Sequence, residues 1–260
     1  MLSLHGQDLQ RTAATKIGDA LNQLPAANEA LFDRLMEDIL STGEEGVLML
    51  AGKVTGDETT LPQAEYALGG LVQYVTRPPV AEDLRKDVAL HFAHALEKAE
   101  DPVVRAFFIR QLGLLGRQES LEVLAPYLFK EPLAGPAISA VTAIGGETAV
   151  QLLLSAPIQA QTINGLGMLG SPLAEKMLLS LLHTGDPRLQ PQVYKALSSC
   201  GTLTAFDVMA KGPDHDFLHY LQRVAPGDPK KATKALKKYI RPSQPSHLRS
   251  FALSLLLELE

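Results

Sequence analysis

The feature that most limits how this chain can fold is a short pattern that recurs at the ends of predicted helices. The pattern reads apolar-x-x-apolar-Gly, and its four glycines are 29, 25 and 31 residues apart: Gly116, Gly145, Gly170 and Gly201. A small residue stands four positions after each glycine, and a large apolar residue stands eight positions after it. A period of this length predicts a unit of helix, glycine turn and helix, several copies of which stack to bury their apolar faces.

The glycine turn has a physical reason. Glycine adopts the left-handed conformation that ends a helix without the steric cost that other residues meet. A glycine at the end of the first helix of a unit can therefore reverse the chain cheaply. The small residue one turn into the following helix should let the two helices of a unit approach closely, so few aromatic side chains are needed between them.

Helical periodicity extends along the whole chain, and strand-like alternation is nearly absent. The predicted helices of the first half span residues 8–24, 26–42, 63–77, 81–99, 102–116 and 119–130, and shorter helices follow. The predicted fold class is all-α, a right-handed α-α superhelix of the HEAT/ARM-like solenoid type.

We expect a single solenoid over residues 1–260, with divergent repeats in 1–100, the clearest repeats in 101–201 and further, truncated repeats in 202–260. The helical pattern continues to the last residues without a stop signal, which predicts a fragment of a longer protein.

Composition narrows the classes of function. A net charge of −5 with 20% charged residues disfavours both a general nucleic-acid binder and a disordered chain. The single cysteine rules out a disulfide framework within the chain. No apolar run approaches the roughly 18 residues of a membrane helix, and the first residues lack the apolar core of a signal peptide. We expect no membrane span.

The residues of the clearest repeats resemble a known family. The start at Asp101 to Arg105, the close at Leu112 to Gly116 and the short helix that follows resemble HEAT repeats, particularly the short type of bacterial phycobilisome-lyase-like proteins. The resemblance is good over residues 101–201 and weaker on both sides. It implies an α-solenoid.

A narrower resemblance concerns residues 66–78 and 104–112, which look like the HEAT region of bacterial multidomain proteins that also carry a 3-keto-disaccharide hydrolase (DUF1080) domain. Such proteins are usually exported and linked to glycan breakdown. The resemblance implies a multidomain parent and a periplasmic or extracellular location, with a cytoplasmic one left open. It does not extend the hydrolase activity to this chain, which lacks the strands of a jelly roll.

Three patterns resemble catalytic or cofactor motifs, and we assign structural roles to all of them. Residues 165–170 spell G-x-G-x-x-G, but they end a predicted helix instead of joining a strand to one. Cys200 takes the place of an apolar core residue in its repeat. The adjacent carboxylates Glu37-Asp38 and Glu44-Glu45 point to different faces of a helix. No cofactor is predicted.

Two histidine pairs lie at helical spacing. His91 and His94 are separated by three positions, and His215 and His219 by four, with Asp214 and Asp216 beside the second pair. A zinc site needs three or four protein ligands, and neither pair has an obvious third one nearby. We predict no metal site and regard His215 and His219 as a weak candidate.

The sharpest electrostatic feature is the predicted helix 230–241. Lys230, Lys234, Lys237 and Arg241 share one stripe, with Lys231 and Lys238 beside it, while Ala235, Leu236, Tyr239 and Ile240 face the other way. Six of the 24 basic residues lie here, which leaves 18 against 29 acidic residues elsewhere. The stripe is either a docking strip for an anionic partner or a solvated outer face.

These features favour a non-catalytic interaction or scaffold domain that binds a protein, or other domains of its parent, through a concave surface lined by second helices. The predicted contact residues are Glu122, Tyr127, Lys130, Lys176, His183, Lys234, Lys237 and Arg241.

An alternative is a HEAT-like enzyme acting on nucleic acid or on a chromophore. The negative charge and the absence of Trp disfavour the nucleic-acid version, and only fold-level analogy supports the other. A third alternative is a spacer that orients the other domains of the parent.

Overall fold

The computed structural model describes residues 11–54 and 62–259, and these residues form α-helices, short 3₁₀-helices and connecting turns, with no strand among them. The predicted all-α fold is confirmed. The chain divides into two compact units, residues 1–144 and 145–260. The boundary falls immediately before Gly145, one of the four repeat glycines.

Eight α-helices form the described part of the first unit: α1 (Ala13–Gln23), α2 (Glu29–Leu40), α3 (Gly43–Ala51), α4 (Gln63–Thr76), α5 (Glu82–Lys98), α6 (Pro102–Leu115), α7 (Gln118–Leu124) and α8 (Ala134–Ile144). They pack as two rows. The even-numbered helices contact one another in the order α2, α4, α6, α8, and the odd-numbered ones in the order α1, α3, α5, α7. Each odd-numbered helix also packs on the even-numbered helix that follows it. This is the stacked-pair arrangement of a helical-repeat protein.

The second unit contains α9 (Gly146–Ser155), α10 (Ala160–Leu169), α11 (Glu175–Thr184), α12 (Gln190–Cys200), α13 (Phe206–Met209), α14 (Asp214–Val224), α15 (Pro229–Leu236) and α16 (Ser246–Glu258). Its even-numbered helices stack in the order α10, α12, α14, α16, and each odd-numbered helix packs on the even-numbered helix that follows it. Stacked helix pairs therefore recur in this unit as well.

The repeat pattern locates the core correctly. The small residues that follow the glycines, Ser120, Ala149, Ala174 and Ala205, are all buried, and so are the large apolar residues, Leu124, Leu153, Leu178 and Met209. Each therefore packs between helices, as the spacing predicted.

The four repeat glycines differ in conformation, and only two of them have the positive φ that favours glycine. Gly145 and Gly170 have positive φ angles of 73° and 64°. Gly116 and Gly201 have φ angles of −72° and −63°, so their conformation does not require glycine. They require it for space, because a Cβ atom would stand 2.5 Å from the carbonyl oxygen of Leu112 at Gly116, and 2.8 Å from that of Leu197 at Gly201.

A second set of glycines brings neighbouring helices into backbone contact. A Cβ atom on Gly113 of α6 would lie 2.8 Å from the Cα atom of Ala140 on α8. In the second unit, Gly167 of α10 has the same relation to Ala196 of α12, also at 2.8 Å. Gly167 belongs to the G-x-G-x-x-G sequence. Its close approach to Ala196 gives it a role in helix packing, which agrees with the structural role assigned to that sequence.

Several predicted boundaries need correction. The structure has a helix at α3 where none was predicted, and the predicted helix 26–42 is shortened to α2. Residue 8, the predicted start of the first helix, lies outside the described residues, and α1 begins at Ala13. The predicted helix 119–130 ends as α7 at Leu124 and continues as a 3₁₀-helix through Phe129, because Pro126 has no N–H to donate to an α-helical bond.

A buried arginine anchors the helix ends of the first unit. The Arg85 guanidinium is 2% exposed and donates to Oε1 of Glu82 at 2.9 Å, to the Leu115 carbonyl at 2.8 Å and to Oε1 of Glu119 at 2.7 Å. It thus satisfies the last carbonyl of α6 while joining α5 to α7. In the second unit, Arg223 on α14 donates to the Gly201 carbonyl beyond the end of α12.

Among the described residues, no helix combines the length and the apolar character that crossing a bilayer requires.

Candidate functional site

The basic segment predicted as helix 230–241 is shorter than expected. Helix α15 begins at Pro229 and ends at Leu236, and the chain then turns through residues 237–240. Asp228 caps its start by accepting from the backbone N–H of Lys231 at 3.0 Å. Lys237 and Arg241 therefore project from the turn and from the residue after it.

The apolar side of this segment is buried as predicted. Ala232 and Leu236 are fully buried, Tyr239 is 1% exposed, and the half-buried Ala235 and Ile240 lie at the edge of this face. Burial of this face holds α15 in place and leaves its lysines at the surface.

The six cations of the segment fall into two groups. Nζ of Lys231 lies 3.2 Å from Oδ1 of Asp207, and Nζ of Lys238 lies 3.6 Å from Oδ1 of Asp214. The other four are exposed, and none of their side chains has a carboxylate partner within residues 11–54 and 62–259: Lys230, Lys234, Lys237 and Arg241. We call these four residues the basic strip. They are the four residues that the sequence placed in one stripe.

Aromatic rings lie beneath Lys231 and Lys238, the two lysines that have carboxylate partners. The rings of Phe206 and Phe217 meet edge to face with centroids 5.6 Å apart, and the Tyr239 ring lies 6.3 Å from that of Phe217. Nζ of Lys231 stands 4.0 Å from the centroid of Phe206, and Nζ of Lys238 stands 5.1 Å from that of Tyr239. Each of these ammonium groups thus has both a ring and a carboxylate to hold it.

Tyr239 links the turn after α15 to α14. Its hydroxyl donates to Oδ1 of Asp214 at 2.7 Å. Burial raises the pKa of Tyr239 well above its usual range, and the hydrogen bond to Asp214 adds to the rise. The phenol therefore stays protonated and keeps donating at neutral pH.

A cavity of about 420 Å³ opens between α13, α14 and α15. Phe206, Phe217 and Tyr239 form its apolar floor, and Ala210 and Ala235 complete its apolar lining. Lys231, Lys234 and Lys238 surround it. We call this cavity the aromatic pocket. Its volume falls within the range of about 300–1,000 Å³ that is common for ligand sites.

The sequence predicted the lysines of this site but not its floor. The missed residues are Phe206 and Phe217, which form the floor together with Tyr239, and Asp207 and Asp214, which pair with lysines. One signal was available. Four of the chain's 14 Phe and Tyr residues fall between positions 206 and 239, although the chain as a whole is poor in aromatics.

The remaining predicted contact residues have mixed environments. In the first unit, Glu122 and Lys130 are exposed, but Tyr127 is only 9% exposed and belongs to the core, with the Lys130 ammonium 5.1 Å from its ring. Tyr127 as a contact residue is therefore wrong, because its side chain fills space between helices. In the second unit, Lys176 and His183 are exposed on α11.

Histidines of both predicted pairs lie beside aromatic rings or a carboxylate. The rings of His215 and His219 lie 4.5 Å apart on α14, and His219 also lies 5.3 Å from the Phe251 ring. In the described part of the chain, no cluster brings together the three or more His, Cys, Asp or Glu side chains that would hold a metal. In the first unit, Nδ1 of His94 lies 3.3 Å from Oε1 of Glu44.

Cys200 lies in the core, as its repeat position predicted. Its side chain is fully buried, and burial raises the pKa of the thiol to about 11. A thiol of this kind is almost entirely protonated at neutral pH, and only the thiolate is an effective nucleophile.

No protein-family model matches this chain, and no curated protein matches it. Among solved structures, the chain is similar to one in the complex of CpcE and CpcF of phycocyanin lyase from Nostoc sp. PCC7120, with 18% identity, 96% of each chain covered and a TM-score of 0.35. The solved chain belongs to a lyase, and this finding contradicts our expectation that the present segment is not an enzyme. We withdraw that expectation. A likeness this distant carries no further argument about catalysis.

Proposed function

We propose that this chain is a helical-repeat domain that binds an acidic protein partner through the basic strip. One observation carries the proposal. The four cations of the strip are exposed and unpaired within the described chain, while the adjacent Lys231 and Lys238 are held by carboxylates. The chain has 29 acidic residues, yet within residues 11–54 and 62–259 none of them forms an ion pair with these four cations.

Charge complementarity supports this assignment. Like charges close together repel one another, and an acidic partner would relieve that repulsion and be attracted to the strip during encounter. The remaining predicted contact residues are exposed and stay candidates for further partner contacts, each within its own unit: Glu122 and Lys130 in the first, Lys176 and His183 in the second.

The wider context is also a proposal. The resemblance of residues 66–78 and 104–112 to the HEAT region of hydrolase-bearing multidomain proteins supports a role within a larger bacterial protein linked to glycan processing. It also supports an exported location. The full sequence of the parent would test both, since a signal peptide and a strand-rich downstream domain are expected there.

The experiment that tests the proposed function is a calorimetric titration of the chain with a short peptide of Glu and Ser. It is carried out at low and at physiological salt. We expect measurable binding that weakens as salt rises. The double variant Lys234→Gln, Lys237→Gln should weaken binding by about 2- to 30-fold at low salt, because each exposed charge pair contributes about 0.2–1 kcal/mol.

The matched control is Lys53→Gln with Lys86→Gln, which removes two exposed lysines from the first unit and should leave the affinity unchanged. A Lys-Ser peptide should not bind. Equal weakening in both double variants would show that only net charge matters and would overturn the proposal. Tighter binding to a single-stranded oligonucleotide than to the Glu-Ser peptide would assign the strip to nucleic acid instead.

A further inference from the structure

We infer that the aromatic pocket receives a bulky apolar side chain, aromatic or aliphatic, from the same acidic segment that binds the basic strip. The inference rests on the proposed function and names the chemistry of the partner more closely. The occupant is an acidic peptide segment with one apolar anchor.

The position of the pocket is the first reason. The cavity is lined by residues of α15 and of the turn after it, so Lys234 belongs both to the basic strip and to the rim of the pocket. A segment that pairs with Lys234 therefore lies at the edge of an apolar opening. A segment with only polar side chains would leave the opening filled with water, and that water would find few hydrogen-bond partners on the apolar lining.

The chemistry of the lining is the second reason. The floor consists of three aromatic rings, with Ala210 and Ala235 beside them, and none of these side chains carries a charge. Burying an apolar side chain against such a floor removes water from both surfaces. The Tyr239 hydroxyl already donates its proton to Asp214, so that proton is not free to bond a polar group of the ligand.

The state of the rim lysines is the third reason. Nζ of Lys231 and Nζ of Lys238 each lie over one ring of the floor and beside a carboxylate, so the positions of these two ammonium groups are fixed by contacts within the chain. Lys234 is exposed and unpaired in the described chain. It is therefore the rim cation most available to a ligand carboxylate next to the apolar anchor, and its position selects an acidic residue there.

These features distinguish the pocket from an ordinary surface hollow. A basic rim around an apolar floor favours a ligand in which negative charge and apolar surface alternate over a short distance. Peptide segments with acidic residues on both sides of a Phe or Leu have this character, and they bind such grooves through a few anchor side chains.

The test uses the whole chain and three synthetic peptides in calorimetric titrations. The first is a Glu-Ser peptide with a central Phe, the second has Ala in place of Phe, and the third has Phe within a Lys-Ser sequence. We expect the Phe peptide to bind about tenfold more tightly than the Ala peptide, as burial of one large apolar side chain allows. The Lys-Ser peptide should not bind.

Two variants locate the effect. Ala235→Leu fills part of the pocket from a half-buried position on a helix, where Leu is a good helix former. It should abolish the tenfold advantage of Phe, so that the Phe and Ala peptides bind this variant with equal affinity. Lys234→Gln should weaken the Phe and Ala peptides by similar factors. Circular dichroism and the thermal midpoint should show that both variants fold.

The outcomes separate the two proposals. If the Phe and Ala peptides bind equally to the unmodified chain, or if the advantage of Phe survives in Ala235→Leu, the pocket inference is wrong while the proposed function stands. If neither acidic peptide binds at low salt, the proposed function fails and the inference fails with it.

Discussion

Gly113 and Ala140 lie so close that a single added methyl group would separate the helices that carry them. A Cβ atom at Gly113 would stand 2.8 Å from the Cα atom of Ala140 and 2.9 Å from its Cβ atom, and neither can move without shifting the backbone of α8. The two helices thus contact each other through backbone atoms, which maximises dispersion between them.

Gly113→Ala is therefore expected to destabilise the first unit by about 1–3 kcal/mol, the usual cost of overpacking a close interface. Gly69→Ala is the matched control, since Gly69 also lies inside a helix but has nothing within 4 Å of its Cβ position. That control should be neutral or stabilise the protein by up to about 1 kcal/mol, because Ala is the better helix former. Urea denaturation of both variants measures the difference, and equal midpoints would contradict the close contact.

The two repeat glycines with positive φ, Gly145 and Gly170, should respond differently to Asn. Gly170 lies in the left-handed helical region, with φ 64° and ψ 14°, which Asn tolerates. Gly145 has φ 73° and ψ −166°, a region that only glycine adopts readily. We expect Gly170→Asn to cost less than about 1 kcal/mol and Gly145→Asn to cost about 1–3 kcal/mol. Thermal unfolding of the pair is the measurement, and the opposite order of stability would refute this account.

Replacement of Arg85 should destabilise the first unit in a way that depends on pH. Arg85→Met leaves the buried Leu115 carbonyl without its donor, which we expect to cost about 1–3 kcal/mol at neutral pH. Arg110 is exposed on α6, so Arg110→Met is the control and should have little effect.

The sign of the pH dependence follows from Glu82. The hydrogen bond from Arg85 lowers the pKa of this carboxyl below its usual 4.5 in the folded chain. The contribution of the Arg85–Glu82 ion pair to the free energy of unfolding is therefore fully present above about pH 4.5. It is lost as the pH falls through the lowered pKa that Glu82 has in the folded chain. The stability difference between the unmodified chain and Arg85→Met should narrow below pH 4.5, and unfolding curves at several pH values will detect it. A difference that grows on acidification would exclude this ion pair as the cause.

Cys200 should react with thiol reagents only when the chain unfolds. A pKa raised to about 11 leaves about a hundredfold less thiolate at pH 8 than an ordinary thiol has, and burial blocks the reagent as well. Labelling with a chromogenic disulfide should thus be slow in buffer and rapid in denaturant. Rapid labelling of the folded chain would show that Cys200 is accessible, contrary to its position in the core.

Local sequence patterns predicted much of this fold. The small and large apolar residues that follow Gly116, Gly145, Gly170 and Gly201 are buried because their spacing follows the helical period, which depends on neighbours in sequence. The same reasoning placed Lys230, Lys234, Lys237 and Arg241 in one stripe, even though the helix ends before two of them. The helix α3 was missed because few polar residues interrupt its apolar run.

The sequence by itself determined the all-α character of the chain, the stacking of short helix pairs and the concentration of positive charge near residue 230, since each depends on periodicity or composition. Only the tertiary structure decided that Gly113 and Gly167 serve helix contact, that Tyr127 is buried and that Phe206, Phe217 and Tyr239 form the floor of a pocket under Lys234. These relations join residues far apart in sequence, and close packing between helices, which no local pattern encodes, brings them together.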